Sequence, residues 1–332
     1  MNPAEFDPLL PPLAPPAAGT RRRAVIDVGT NSVKLLVVDL RGDELHPVLE
    51  QSEQTRLGAG FYETHQLQPG AIAKTAAAVA TFVRAARASG AAPIRIIGTS
   101  AARDARNAAE LCAAIQHAAG LPLEIISGEQ EADWAFHGVA TDPQLAGHPL
   151  LILDVGGGST EFILGAGQHQ QFRESFPLGS VRLLEKFPVA DPPSAADWQR
   201  CHNELERIVA RQILPHLAPA LARVDRARLH LVGTGGATTI LARIHTGMTD
   251  FDRARIEAVR LTRAAVQRHR EHLWSLPLAQ RRNIPGLPPN RADVILYGVA
   301  IYEAILQHLD LPELRVSTRG LRFAAVLDLP AP

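Results

Sequence analysis

The residues DVGTNS at 27–32 return as DVGGGS at 154–159, 127 positions further along. Aligned on the aspartates, Asp27 pairs with Asp154, Gly29 with Gly156 and Ser32 with Ser159. In both copies an apolar run leads into the aspartate, a glycine-containing turn follows, and apolar alternation resumes, as at Val33, Leu35 and Val37. That is the pattern of a strand, a tight turn and a returning strand. Two such hairpins one domain-length apart read as an internal duplication, and 332 residues suffice for two domains with buried cores.

The flanking segments predict an α/β fold. An alanine-rich helix is expected over 70–89, between Pro69 and Gly90, then a strand at 94–100 and a helix at 103–119 closed by Gly120. A strand at 123–127 and a helix at 129–140 follow. Beyond the second hairpin the pattern predicts a helix at 195–217, a strand at 228–233, and a glycine-rich turn at 233–239 that opens another helix. A long helix at 291–309, a strand at 313–317 and a terminal helix at 320–328 complete the series. We divide the chain into 21–145 and 146–332, with the terminal helix free to pack back on the first domain. The proline-rich residues 1–20 are read as a disordered tail.

Charge excludes one class of partner. Lys plus Arg number 34 and Asp plus Glu 34, so the broadly basic surface of a general nucleic-acid binder is missing. Cys112 and Cys201 are too few for a disulfide framework or a cysteine zinc site, which points to a reducing cytosol. No apolar run approaches the roughly 20 residues of a membrane span. The N-terminal apolar stretch precedes Arg21, Arg22 and Arg23, the reverse of a secretory signal. A cytoplasmic protein that uses neither membrane nor nucleic acid is expected.

Glycine-rich turns leaving strands aim backbone N–H groups into a concavity that suits phosphate oxygens. Three occur: Gly29-Thr30-Asn31-Ser32, Gly156-Gly157-Gly158-Ser159 and Gly233-Thr234-Gly235-Gly236. None is a P-loop, because no Gly-Lys-Ser/Thr follows at the right spacing. Plain tight hairpins are the competing reading. A carboxylate beside phosphate needs a cation between them, and Mg²⁺ commonly takes one or two carboxylates with phosphate and water. Asp154 and Glu161, across the second hairpin, could supply them, and Asp27 could add a third or cap its turn. Glu129 fits a helix-dipole partner. Arg103 reads either as a phosphate clamp or as one more surface arginine, and Lys34 as a substrate contact. His269 and His272 match no metal pattern, and the basic residues at 253–270 fit a solvated helix face.

DVGTNSVKLLV, GTSAARDARN, SGEQEADWAF, LDVGGGSTEF, FPLGSVRLLEKF and IPGLPPNRADVI occur in order from 27 to 295. Together they resemble the exopolyphosphatase/guanosine pentaphosphate phosphohydrolase (Ppx/GppA) family. The resemblance implies two related ribonuclease H-like domains of the acetate kinase/sugar kinase/Hsp70/actin superfamily, with the active site in the cleft between them. It further implies that the loops 29–32 and 156–159 grip phosphates from opposite sides and that Glu131 is the general base. Arg103 would contact substrate, and Asp154 and Glu161 would serve Mg²⁺ (with Mn²⁺ as an alternative) and catalysis. Homodimers are usual for the family.

The lack of the longer members' helical C-terminal domains matches the short, two-domain subtype. The closing RGLRFAAVL lacks the usual Glu-Gly after Leu-Arg, and GTGGATT at 233–239 resembles the fold's nucleotide loop, here preferred as scaffold. The expected activity is Mg²⁺-dependent removal of terminal phosphate from inorganic polyphosphate, with short chains as the expected substrates. Removal of the 5′ γ-phosphate of guanosine pentaphosphate is the alternative. A kinase would need ATP on the 233–239 loop. A non-catalytic sensor of polyphosphate or alarmone would be favoured by loss of Glu131 or Glu161, and both are present.

Overall fold

The computed structural model describes residues 20–42 and 44–329. The segment read as a tail lies outside them except for Thr20. In the first half β1 (Arg21–Val28), β2 (Val33–Arg41), β3 (Glu44–Glu53), β4 (Ile94–Gly98) and β5 (Leu123–Ile125) form one sheet in the order β3-β2-β1-β4-β5. The β1–β2 and β2–β3 pairs are antiparallel, and β4 and β5 add parallel.

The second half has β6 (Pro149–Val155), β7 (Thr160–Ala166), β8 (His169–Phe176), β9 (His230–Thr234), β10 (Arg260–Thr262) and β11 (Glu313–Val316). Its order β8-β7-β6-β9-β11 repeats the first sheet strand for strand, and β10 adds antiparallel at the edge. The duplication seen in twelve residues of sequence therefore extends to a whole ribonuclease H-like sheet, twice. This is the expected two-sheet α/β architecture.

The central strands are apolar along most of their length because both faces are covered. Ile26 on β1 packs with Val79 and Leu111 on one face, while Val25 packs with Phe323 and Val326 of the terminal helix Leu321–Leu327 on the other. The helix Ile295–His308 is buried along almost every residue against the second sheet.

Two helices change sides. Gly128–Ala140 lays Ala132, Ala135, Phe136 and Val139 on Ile152 and Ile163 of the second sheet, although it follows β5 of the first. The terminal helix makes the opposite exchange onto β1 and β2. They cross where Gly138 meets Gly320, and a Cβ on Gly138 would overlap the Gly320 carbonyl.

Three expectations change. The helix expected over 103–119 is two, Ser100–Asp104 and Ala108–Ala119. Between them the Asn107 side chain bonds the Leu67 backbone both ways, accepting at 2.9 Å and donating at 3.1 Å. The helix expected over 195–217 runs to Ile208, widens into one π turn at Val209–Ile213 and resumes to Leu221, with Pro215, which has no N–H to donate, just beyond the wide turn. The segment 253–270 is not one solvated face: Arg253 reaches inward to Glu50 of β3 and to Thr318.

Candidate active site

Each aspartate ends a central strand, and the following turn is built the same way twice. Gly29 N–H donates to Ser32 O at 3.0 Å, and Gly156 N–H to Ser159 O at 2.9 Å. Opposite Asp27 on the returning strand stands Lys34, and opposite Asp154 stands Glu161. Lys34 and Glu161 are thus the same position of the repeat with opposite charge.

The two loops meet across the cleft. Gly157 approaches Thr30, and a Cβ on Gly158 would overlap Ser100 Oγ and Tyr62 Oη. This closeness explains two successive glycines where the first loop has Thr30 and Asn31. Flanking contacts hold the approach: Glu185 accepts the Gly60 and Tyr62 backbone N–H groups at 2.6 and 3.3 Å. Arg182 donates to Gly158 O at 2.8 Å while its guanidinium lies 4.2 Å from the Tyr62 ring centre.

Between the loops lies a cavity of about 100 Å³ lined by Gly29 to Ser32, Gly156 to Ser159, Asp27, Lys34, Glu131, Asp154 and Glu161. It opens into a larger chamber of about 440 Å³, which shares Asp27, Lys34, Asp154, Gly236 and Arg291 and is bordered by Thr234, Gly235 and the exposed Phe251. Gly233 lines neither cavity. It is packed against Thr238 and Leu314, which makes it part of the scaffold. Arg103 lines neither cavity and donates to Glu131 Oε2 at 2.9 Å and to Ile126 O at 3.3 Å.

The carboxyls are buried close together, and each is pushed towards its neutral form. Burial, then the neighbouring Glu161 charge, raises Glu131 well above the usual range, while Arg103 pulls it down. Burial and Asp154 raise Glu161 to about 7 against the hydroxyls of Ser175 and Ser159, which both donate to its Oε1 at 2.7 Å. Burial raises Asp154 to about 6 against the pull of Lys34, and raises Asp27 in the same way. Burial lowers Lys34, and it lowers Arg291 to about 10 with help from Arg56. For Arg103 burial works against the charge, but Glu131 outweighs it and the net shift is upward. Such a cluster attracts a cation or a proton as readily as an anion.

Among the described residues no three His, Cys, Asp or Glu side chains are grouped to hold a metal unaided. Mg²⁺ does not require that, since it usually keeps water and takes phosphate oxygens beside one or two carboxylates. Asp27 Oδ1 is buried without a hydrogen-bond partner, and Asp27 and Asp154 line the same cavity. This donor set suits Mg²⁺ held jointly with a phosphate.

Sequence reasoning passed over Arg291, Ser100 and Arg322. Arg291 lies inside the quoted segment IPGLPPNRADVI, but one arginine among many carries no local mark. Arg322 donates to Leu35 O at 2.9 Å from the terminal helix, a contact only the exchanged packing creates.

The Ppx/GppA phosphatase family model matches residues 36–329. "Exopolyphosphatase 2" of Mycobacterium tuberculosis is 33% identical over 298 residues, covering 87% of this chain and 91% of that protein. A crystal structure of an exopolyphosphatase from Cytophaga hutchinsonii matches with a TM-score of 0.83 at 25% identity, over 92% of this chain and 97% of that one. The Aquifex aeolicus member of the Ppx/GppA family matches at TM-score 0.75 and 28% identity, over 93% and 97% of the two chains. The family match runs from within β2 to the last described residue, most of the chain, and the chain belongs to the Ppx/GppA phosphatase family.

Proposed function

We propose that this chain, a phosphoanhydride hydrolase, removes terminal phosphate from inorganic polyphosphate with Mg²⁺ as cofactor and short chains as its preferred substrates. The observation that carries the reading is the meeting of two N–H-bearing glycine loops over a buried glutamate held by an arginine. The loops 29–32 and 156–159 bind the terminal phosphate from both sides and orient it for in-line attack by water. Glu131 keeps one oxygen on Arg103 and offers the other to that water, accepting its proton as the P–O bond forms. Arg103 therefore acts through the base here, where the family resemblance implied a substrate contact. Backbone N–H groups and Lys34 stabilise the charge of the phosphoryl group in transit. Mg²⁺ on Asp154 and Asp27, with Glu161 beside them, would neutralise phosphate oxygens and ease departure of the leaving chain.

One observation favours a second reading. The 440 Å³ chamber beside Thr234, Gly235 and Phe251 has room and an aromatic surface for more than phosphate, which suits removal of the 5′ γ-phosphate from guanosine pentaphosphate. Phosphate release should be measured in parallel from short polyphosphate, long polyphosphate, guanosine pentaphosphate and ATP, with Mg²⁺ and with excess chelator. Faster release from short polyphosphate, abolished by chelator, is expected. Preference for the guanosine substrate would replace the first reading by the second. Full activity in chelator would remove the metal.

A further inference from the structure

We infer that Ser100 is a phosphate-binding residue of the cleft, its hydroxyl donating a hydrogen bond to an oxygen of the phosphoryl group held between the two hairpin loops. The inference rests on the reading of that cleft as a phosphoanhydride site. Ser100 begins the short helix after β4, is 3% exposed and lines the 100 Å³ cavity. Its Oγ is buried and has no hydrogen-bond partner among the described residues. Buried polar atoms nearly always have partners, and an apolar residue would fill the place without that cost, as Ala101 and Ala102 do next to it.

The opposite loop is shaped around this hydroxyl. A Cβ on residue 158 would overlap Ser100 Oγ, as it would Tyr62 Oη, and residue 158 is glycine. Two of the other serines along the cavity, Ser159 and Ser180, are committed. Ser159 donates to Glu161 at 2.7 Å, and Ser180 to Gly156 O at 3.3 Å. With Glu131 engaged by Arg103 and Glu161 by two serines, no base is bonded to Ser100. It therefore serves as a donor and not as a nucleophile.

The test compares the wild type with Ser100→Ala and Thr75→Val. Thr75 is an equally buried hydroxyl without a partner, but it lies on the helix Pro69–Ala88 in the core of the first sheet. Ser100→Ala should lower kcat/KM for phosphate release by roughly 10–100-fold, the range for one hydrogen bond to a charged group. Its ligand-free melting temperature should not fall, because an unsatisfied hydroxyl is being removed, and Thr75→Val should keep full activity. Orthophosphate should raise the melting temperature of the wild type more than that of Ser100→Ala. Normal kcat/KM in Ser100→Ala, a matching loss in Thr75→Val, or a clear fall in ligand-free melting temperature would overturn the inference. If the wild type releases phosphate from neither polyphosphate nor guanosine pentaphosphate, the functional reading fails instead. The orthophosphate comparison then decides on Ser100 alone: an equal rise in both proteins overturns it.

Discussion

Lys34 and Glu161 descend from one position of a repeated hairpin, and their opposite charges divide the cleft into two chemistries. On the first hairpin Lys34 faces Asp27 and partly balances the carboxyls. On the second, Glu161 adds to them and helps keep Glu131 proton-hungry. In the proposed mechanism Glu131 is the base that takes a proton from attacking water, oriented by its contact with Arg103. Glu131→Gln keeps the shape and the Arg103 contact but cannot accept the proton. It should cut turnover at least about 100-fold in steady-state assays with little change in KM. Turnover within a few-fold of wild type would remove Glu131 from the mechanism. Much of this residue set was legible, because aspartate, glycine and serine recur at matched positions. Arg291 and Ser100 were not, since what marks them is a missing partner or a shared wall, and neither is a property of local sequence.

At the scale of elements, strands flanked by glycine turns were easy to read and edge strands were not. β3 and β8 carry glutamate and glutamine at half-buried positions and histidine at exposed ones, so no apolar alternation announces them. They form the outer edge of each three-stranded antiparallel unit. The exchanged helices depend on a contact that spacing alone cannot reveal, the crossing of Gly138 with the Gly320 backbone. Gly138→Ala should push the helices apart and destabilise the protein by about 1–3 kcal/mol, the usual cost of overpacking. Denaturant unfolding checks this, and an unchanged midpoint would show that the crossing gives way easily. Because Glu131 sits on one of these helices, activity is expected to fall with stability in that variant.

Across the whole molecule, the cleft trades stability for chemistry. Asp154 and Glu161, raised to about 6 and about 7, bind protons more tightly folded than unfolded. Groups shifted in that direction stabilise the fold at low pH, and the benefit is lost as pH rises through the raised values. Asp197 and Glu204, held down to about 2, act only at lower pH, where their stabilising contribution disappears. His269, lowered to about 4 by burial, works the other way up to its ordinary value. Four raised carboxyls (Asp27, Glu131, Asp154 and Glu161) oppose it, so ligand-free protein should lose thermal stability between about pH 5 and pH 7. A melting temperature that is flat or rises over that interval would contradict the burial of these carboxyls. The two-sheet plan was visible from a hairpin repeated after 127 residues, whereas the relative placement of the halves depends on distant contacts such as Glu185 with Gly60. The central claim is that this cleft takes phosphate from the end of a polyphosphate chain. The most direct test follows the products of a short polyphosphate with Mg²⁺ over time. Orthophosphate should accumulate from the first time points while the remaining chain shortens one unit at a time. Intermediate-length fragments without early orthophosphate, or no release at all, would contradict it.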